Sequence, residues 1–505
     1  MSASPGPAGR DRRARLLAGS LVAAFLVLAF LGLRGQDPTS DERLYFGVGR
    51  TLLLTGRWQG FAPLLHPPLS YYVNSLPLLL EQGPFTYWNP LLLRLCRVTS
   101  LLAFGVPLLV AVFLWARDRA GSESAAVAVA LIGFSPTLLA HAGLITPDLP
   151  LTATGFVALY LFWKAQQLES GPAAWGASLG LALLAKGSGW LFVVAIVGLA
   201  ALRRTAGVGR LRPVLAGLAV ALFVLNLGYG FTGLFDLEGK RALLEKVPDV
   251  TLARAVAWAA APFFPLPYLK AMATQLHVAA QGWPSFLAGE VSRTGWRHYF
   301  LVALALKETV PFLILLAVSL ARAWRRGRRL DDLALLLPAG LFFVAFSLGG
   351  VQIGVRYVLP ALPFVAVLAA GLVRDLRPVG RAAVLVLVAW HAMSAVRACP
   401  HFIAYFNELA GGPENGYRYL GDSNLDWGQN RSQAQVFAWA NRLPFEPPAL
   451  PASGRLVVSA TRLQGTFDRE TYRVLREQYD PVGHVGYAYL VYDLARNRRR
   501  PPLAP

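Results

Sequence analysis

The 505-residue sequence has little charge and little cysteine. Charged residues make up 15% of it, and its only cysteines are Cys96 and Cys399. Two cysteines are too few for a disulfide framework, which excludes a small disulfide-stapled protein. About a quarter of the residues in soluble domains are charged, so the low charge argues against a chain of ordinary soluble domains. The sequence also lacks a glycine-rich phosphate loop, and we therefore expect no nucleotide-binding fold.

Apolar residues take the place of the missing charge. They make up 55% of the chain, and the mean hydropathy is +0.46. Apolar runs of about 20 residues recur, the length that a helix needs to cross the hydrocarbon core of a bilayer. We therefore predict a polytopic α-helical membrane protein with about eleven transmembrane helices. The predicted spans are residues 16–34, 91–116, 124–143, 149–163, 173–185, 187–202, 213–229, 299–321, 333–348, 357–373 and 382–398.

The first span follows an arginine-rich tail, as a secretory signal peptide would. Its apolar stretch is long for a signal peptide, and Leu33-Arg34-Gly35 lacks the small residues of a cleavage site. We interpret it as an uncleaved membrane anchor that follows a short N-terminal tail, residues 1–15.

The net charge of +20 is concentrated in short basic clusters beside the spans. Basic residues mark cytoplasmic loops, so this pattern indicates membrane topology rather than nucleic-acid binding. It predicts a multi-pass protein of the inner (cell) membrane, with the tail 1–15 in the cytoplasm and the long loops 35–90 and 230–298 outside. The clusters are Arg117 and Arg119; Lys164; Arg203, Arg204, Arg210 and Arg212; Arg322, Arg325, Arg326, Arg328 and Arg329; and Arg374, Arg377 and Arg381.

The segment 399–505 differs from the transmembrane bundle, residues 16–398. It has Gly, Pro and Asn turns, a predicted helix over about 428–441, and β-like runs at 455–460 and 487–492. We predict a small α/β domain there. An odd number of spans puts this domain outside the membrane.

Two carboxylates, Asp41 and Glu42, follow the first span. Thr39-x-x-Glu42 fits a capping box, and acidic residues favour the first turn of a helix. The alternative is functional: a carboxylate at the outer face of the membrane that the spans cross could take a proton from an acceptor group. The residues alone leave both interpretations open.

Five short motifs resemble those of the polyprenol-phosphate-dependent GT-C glycosyltransferases, which include protein O-mannosyltransferases and lipid A aminoarabinose transferases. The resemblance covers about residues 10–400, and it implies a GT-C-like bundle. The order of the motifs and their common placement at the outer face make the set specific. They are Asp41-Glu42-x-x-Tyr45, Leu65-His66-Pro67-Pro68-Leu69, Ile145-Thr146-Pro147-Asp148, Leu184-Ala185-Lys186-Gly187 and Arg356-Tyr357-x-Leu359-Pro360.

The resemblance implies roles for the acidic residues. Asp41 is the candidate general base, and Glu42 would assist it or only cap the helix. Asp148 is a candidate second acid in the site. A local explanation also exists, with Thr146 as the N-cap and Asp148 complementing the helix dipole.

The resemblance also assigns residues to the donor phosphate, namely Lys186, Arg356, Tyr357 and His66. Lys186 and Arg356 lie at outward span ends, against the positive-inside trend. Snorkelling at the interface is the alternative for Lys186. His66 stands where the aminoarabinose transferases have lysine, and it could donate a hydrogen bond, bind a metal or do neither. Arg94 and Arg97 could face the lipid headgroups or only mark a helix end.

A second polar motif, Tyr405-Phe406-Asn407-Glu408 to Asp422-Ser423-Asn424-Leu425-Asp426-Trp427-Gly428-Gln429, follows the last span. Its carboxylates could hold a divalent cation or hydrogen-bond a sugar, so a metal is possible but no metal ligand is assigned. Turns and a helix cap are the simpler explanation for Asp422. Asp426 and Trp427 stay candidates for acceptor or sugar contacts, since an indole ring is a good stacking surface.

Together these features predict a glycosyltransferase at the outer face of the inner membrane. Its partners would be a polyprenyl-phosphate sugar donor, a protein or glycolipid acceptor and membrane lipids, and transfer would invert the anomeric configuration. The alternative is a lipid or solute transporter. That alternative predicts charged residues or broken helices within the membrane, and the sequence shows no clear sign of either.

Overall fold

The structure is a computed structural model that describes residues 7–56, 66–80, 89–168, 171–207, 209–245, 259, 261–327 and 329–496. Leu65 of the second motif lies outside the described residues. So do parts of both long predicted loops, residues 57–65, 81–88, 246–258 and 260.

Most of the described chain is helical, and within it seven helical segments are long and apolar enough to cross a membrane. The prediction of a polytopic helical membrane protein is confirmed at this level, whereas the count of eleven spans stays a prediction. Two more apolar helices are shorter, Ser122–Gly133 and Ala173–Ala185. The seven segments are Asp11–Leu33, Pro90–Ala120, Gly187–Thr205, Leu211–Gly228, Leu330–Ser347, Val355–Asp375 and Pro378–Ala398.

Two predicted spans are interrupted. Span 124–143 is two helices, Ser122–Gly133 and Pro136–His141, because Ser135 caps the second one through Leu138 N–H. Span 299–321 is likewise divided into Tyr299–Lys307 and Val310–Arg325.

The two interruptions meet inside the bundle. Ser135 Oγ donates to Glu308 Oε1 at 2.7 Å, and Thr309 caps the second half of its broken span. Lys307 and Glu308 are both buried. Broken helices and buried charges therefore do occur, which corrects the expectation from the sequence and removes that argument against a transporter.

The other α-helices have the following bounds. They are Pro7–Leu33 (the first span with its basic extension), Ser40–Tyr45, Val48–Thr55, Leu69–Asn74, Pro90–Ser100, Val106–Ala120, Asp148–Leu168, Trp190–Thr205, Leu237–Leu244, Leu266–Gln281, Leu362–Ala370, Leu372–Asp375, Arg431–Ala440, Ala460–Gln464 and Arg473–Gln478. A π-helical turn, Leu101–Gly105, joins two of them. The 3-10 helices are Leu76–Leu80, Gly187–Gly189, Ala261–Phe263, Val355–Ala361, Phe402–Ala404, Glu408–Ala410, Pro413–Arg418 and Asp422–Asn424.

Strands occur in two small antiparallel sheets. Strands β1 (Ser285–Leu287) and β2 (Glu290–Ser292) form a hairpin. Strands β3 (Arg455–Ser459), β4 (Gly483–Val485) and β5 (Tyr489–Asp493) form a sheet in the order β3-β5-β4, with Arg455 opposite Asp493. The helix predicted over 428–441 begins at Arg431 and ends at Ala440.

The C-terminal segment shares a hydrophobic cluster with the membrane bundle. Phe300 and Val355 of the bundle lie in one cluster with Leu456 and Tyr472. Trp427 belongs to the main bundle cluster. The packing thus holds the loop that contains Trp427 against the ends of the bundle helices, where the candidate site lies.

Candidate functional site

Four charged side chains from distant parts of the sequence form a line of alternating charge. Arg356 Nη1 donates to Asp41 Oδ2 at 2.6 Å and lies 3.7 Å from Asp148 Oδ2. Lys186 Nζ donates to Asp148 Oδ1 at 2.7 Å. Asp148, Lys186 and Arg356 are buried, and 22% of the Asp41 side chain is exposed. Two positive charges therefore balance two negative ones, and Asp41 is the carboxylate that solvent can reach.

Each of these residues stands where a helix begins or ends. Asp41 is in the first turn of Ser40–Tyr45, and Asp148 is the first residue of Asp148–Leu168. Lys186 follows Ala173–Ala185, and Arg356 opens the 3-10 helix Val355–Ala361. Helix ends have unpaired backbone groups, and polar side chains are favoured there. The four helix ends meet, so the four charges lie together at one end of the bundle.

Asp41 keeps one free carboxylate oxygen. Its Oδ2 is bound to Arg356, and its Oδ1 has no hydrogen-bond partner in the part of the chain that the structure describes. A carboxylate that is held by a guanidinium and has an open oxygen can accept a proton from a group placed beside it.

Glu42, next in sequence, has a different environment. Its oxygens accept from Arg97 Nε at 2.9 Å, Arg97 Nη2 at 2.7 Å, Ile145 N–H at 3.0 Å and Thr39 N–H at 2.9 Å. Burial alone would raise the pKa of Glu42, but the charge of Arg97 and these hydrogen bonds lower it overall. With both oxygens occupied, Glu42 caps and anchors the helix of Asp41, which is the second of its two expected roles.

Arg97 is therefore a buried partner of Glu42 beside the candidate site. It was expected to mark a helix end or face the headgroups, but its side chain is 1% exposed. Its Nη1 and Nη2 also donate to the carbonyls of Gln36 and Asp37. Its place inside an apolar helix, against the charge trend, was the available signal.

Aromatic rings support the two cations. Arg356 lies 4.2 Å from the centre of the Trp427 ring, and Lys186 Nζ lies 4.6 Å from that of Tyr357. Trp427 is buried, and its other ring neighbour is His141 at 5.8 Å. Trp427 therefore supports Arg356, and its predicted contact with a sugar or acceptor stays a prediction.

The polar C-terminal motif docks directly onto the loop before Asp41. Ser40 N–H donates to the Trp427 carbonyl and Asp37 N–H to the Gln429 carbonyl, both at 2.9 Å. On the other side, Asn424 Oδ1 accepts from Val355 N–H at 2.9 Å, one residue before Arg356. The motif thus fixes the backbone of both members of the Asp41–Arg356 pair.

Asp426, in the same motif, bonds to the backbone of the C-terminal segment. Its carboxylate accepts from the N–H groups of Gly428 and Thr461 at 3.3 and 3.2 Å, and burial raises its pKa. These bonds join the motif to the C-terminal segment and give Asp426 a structural role, while its predicted acceptor or sugar contact stays a prediction.

Asp422 is closer to the site than the sequence analysis expected. Burial raises its pKa to about 6, while the charge of Arg356 acts in the opposite direction and that of Asp41 adds to the rise. It has a φ of 53°, which aspartate tolerates better than most residues, and its Oδ1 accepts from Ser423 N–H. Asp422 opens the 3-10 helix Asp422–Asn424, and this turn brings a titratable group next to the ion pairs.

His66 is uncharged at neutral pH. Burial and the charge of Lys186 lower its pKa to about 3. Gln275 Nε2 lies 3.2 Å from Nδ1, and a donating amide there leaves the ring proton on Nε2. The Tyr45 ring packs edge-on at 5.8 Å. His66 therefore does not replace a lysine charge, although it can donate a hydrogen bond to an anion.

Lys186 does not snorkel, since its side chain is 8% exposed and is held by Asp148. The predicted Thr146 cap for Asp148 is not observed either, because Thr146 Oγ1 is buried and has no hydrogen-bond partner among the described residues. Among the described residues no group of three or more His, Cys, Asp or Glu side chains could hold a metal ion. The described residues bring a carboxylate with an open oxygen next to two buried cations.

Comparison with known proteins identifies the fold. The family model described as dolichyl-phosphate-mannose-protein mannosyltransferase matches residues 89–229, which include Asp148 and Lys186. The crystal structure of ArnT from Cupriavidus metallidurans bound to undecaprenyl phosphate is similar, with a TM-score of 0.53 and 18% identity over 94% of this chain and 97% of that one.

The apo state of the same ArnT has a TM-score of 0.51 and 16% identity, over 94% of this chain and 96% of that one. No curated protein sequence matches the chain significantly. The resemblance to the GT-C superfamily, drawn from short motifs, is thus confirmed at the level of the fold.

Proposed function

We propose that this protein transfers a sugar from a polyprenyl-phosphate donor to a protein or glycolipid acceptor, at the end of the bundle where Asp41 lies. The observation that carries the proposal is the Asp41–Arg356–Asp148–Lys186 line, assembled on a fold similar to that of ArnT bound to undecaprenyl phosphate. A lipid donor would keep its tail in the bilayer and present its phosphate at the ends of the spans.

In the proposed reaction, Asp41 takes the proton from the acceptor hydroxyl or amine. The acceptor forms a bond to the anomeric carbon while the bond from that carbon to the phosphate oxygen breaks. The electron pair leaves with the phosphate, which gains negative charge. A direct displacement of this kind inverts the anomeric configuration.

Arg356 and Lys186 would stabilise the leaving phosphate. Arg356 Nε is buried and has no hydrogen-bond partner among the described residues, so the guanidinium retains donor capacity beyond its bond to Asp41. Donors that are already in place stabilise developing charge without reorganisation, which is where their contribution to the rate arises. His66 would add a neutral donor and Tyr357 would hold Lys186 in position.

The site lies at the end of the bundle that the charge pattern assigns to the outside. We accordingly propose the outer face of the inner membrane as the site of transfer, with segment 399–505 on the same side.

The test is reconstitution of the full chain in vesicles with a polyprenyl-phosphate sugar, a serine- and threonine-containing peptide and a glycolipid acceptor. Mass spectrometry should show one added sugar on one acceptor, and NMR should show an inverted anomeric centre. Retention of configuration would contradict direct displacement. Movement of the donor between leaflets without any transfer would instead support the transporter.

A further inference from the structure

A cluster of arginines lies at the end of the bundle opposite the candidate site. The segment Val355–Asp375 carries Arg356 near its first residue and Arg374 near its last, so it runs between the two places. A cavity at the Arg374 end is lined by charged groups from several helices, namely Arg119, Arg322, Arg326, Arg374, Asp332 and Asp375. Four guanidinium groups face two carboxylates there, which leaves two positive charges in excess.

Three of the four arginines are held by partners. Arg119 pairs with Asp332, and Arg326 Nη1 lies 2.6 Å from Asp375 Oδ2. Arg374 donates to Asp375 Oδ1 at 3.1 Å and to the Arg119 carbonyl at 2.8 Å. These contacts fix the walls of the cavity.

Arg322 is the exception. Its Nε is buried and has no hydrogen-bond partner, and within the described residues its guanidinium makes no ion pair. A buried donor without a partner is costly, because the group has lost water and gained nothing in exchange. A ligand that accepts hydrogen bonds and carries negative charge would remove that cost.

We propose that this cavity binds the phosphate of an anionic lipid headgroup. Guanidinium groups match the geometry of phosphate oxygens, and basic pockets between transmembrane helices are a common way to hold such headgroups. The cavity is small, about 30 Å³, so the proposal concerns the phosphate group of the lipid and not the rest of its headgroup. The cavity lies among the ends of apolar helices, and a phospholipid beside such helix ends would present its phosphate there.

The cluster could also serve topology alone, since basic residues at span ends fix the orientation of a membrane protein. The last turn of helix Val310–Arg325 separates the two explanations. Arg322 lines the cavity, whereas Arg325 on the same turn is exposed and does not line it. Both carry one positive charge, so Arg325→Gln is a matched control for Arg322→Gln.

The experiment is native mass spectrometry of the full chain in detergent micelles, titrated with phosphatidylglycerol and, separately, with phosphatidylcholine. We expect one phosphatidylglycerol to bind in preference to phosphatidylcholine. Arg322→Gln should weaken that binding about tenfold, the effect of losing one charge-assisted hydrogen bond. Arg325→Gln should leave it nearly unchanged. Millimolar inorganic phosphate should not displace the lipid.

Equal losses in the two glutamine variants would overturn the site and leave only a general basic face. Displacement by inorganic phosphate would overturn the assignment to a lipid headgroup. If Arg322→Gln does not fold, Arg322→Lys keeps the charge without the guanidinium fork and should bind with intermediate affinity. Binding of phosphatidylglycerol and phosphatidylcholine to the wild type with equal affinity would contradict the proposal whatever the variants do.

Discussion

Arg356 donates a hydrogen bond to Asp41 at 2.6 Å, although 315 residues separate them in the chain. The pair joins the helix Ser40–Tyr45, which follows the first span, to the segment Val355–Asp375 at one end of the bundle. It also leaves the other oxygen of the Asp41 carboxylate without a hydrogen-bond partner among the described residues. The account of this protein as a transferase depends on that pair more than on any other contact.

Replacement of Arg356 should impair transfer more than donor binding. Arg356→Gln removes the charge that faces the leaving phosphate, and we expect kcat to fall by about 10²–10³, as for the loss of one preorganised donor. Arg356→Lys keeps the charge but loses the stacking on Trp427, and it should retain intermediate activity. Initial rates at varied donor concentration measure both effects.

The control for Arg356 is Arg325→Gln, an exposed arginine at the other end of the bundle. It should transfer at the rate of the wild type. A fall in both variants would point to a general effect of lost positive charge and would contradict a specific role for Arg356.

Substitutions in the Lys186–Asp148 pair should affect stability and transfer activity differently. Lys186→Met leaves Asp148 buried without its closest partner, which we expect to cost about 3–5 kcal/mol. The double variant Lys186→Met with Asp148→Asn should recover thermal stability because no buried charge stays unpaired. It should not recover transfer, since the second cation is missing. Recovery of transfer by the double variant would reduce the pair to a structural element.

Glu42 and Arg97 should behave as a structural pair. Glu42→Gln leaves a buried guanidinium without its counter-ion, at an expected cost of about 3–5 kcal/mol. In a double-mutant cycle with Arg97→Gln, the second substitution should add little to the first. Melting temperatures of the purified chain in micelles provide the measurement. Additive losses would show that the two side chains are not coupled.

Much of this site was predictable from the sequence. The positions of its residues along the chain explain which parts were not. Asp41, Asp148, Lys186 and Arg356 stand at helix ends on the same side of the bundle. Charge sorting and short motifs were therefore enough to predict that they lie in one site. The role of Glu42 depended on Arg97, and nothing in the spacing of those two residues indicates that they touch. Tertiary pairing of that kind is not encoded in a local pattern.

The fold, too, was predictable in part from the sequence. Span positions follow from hydropathy, and each predicted span is largely helical in the described structure. The interruptions at Ser135 and Glu308 were missed because the flanking runs are apolar, although Ser135-Pro136 and Thr309-Val310-Pro311 are recognisable helix starts. Trp427 and Asp426 were candidates for acceptor or sugar contacts, and their burial by the rest of the chain was not visible in the sequence.

Asp422 predicts a pH dependence of stability. Its folded pKa of about 6 lies above its ordinary value of about 3.9. A raised pKa in an acid contributes stability that is present below pH 4 and is lost as the pH rises through 6. The difference in melting temperature between Asp422→Asn and the wild type should therefore increase in favour of the variant from pH 4 to pH 7. The full effect is at most about 3 kcal/mol. A constant difference over that range would contradict the raised pKa.

The most direct test of the central claim is the transfer rate of Asp41→Asn, measured with a polyprenyl-phosphate sugar and an acceptor that the wild type uses. Loss of a general base should lower kcat by about 10²–10⁴ while donor binding is kept. Glu238→Gln, which removes an exposed carboxylate elsewhere, should transfer at the wild-type rate. An Asp41→Asn variant that is folded, binds the donor and transfers as fast as the wild type would contradict the account.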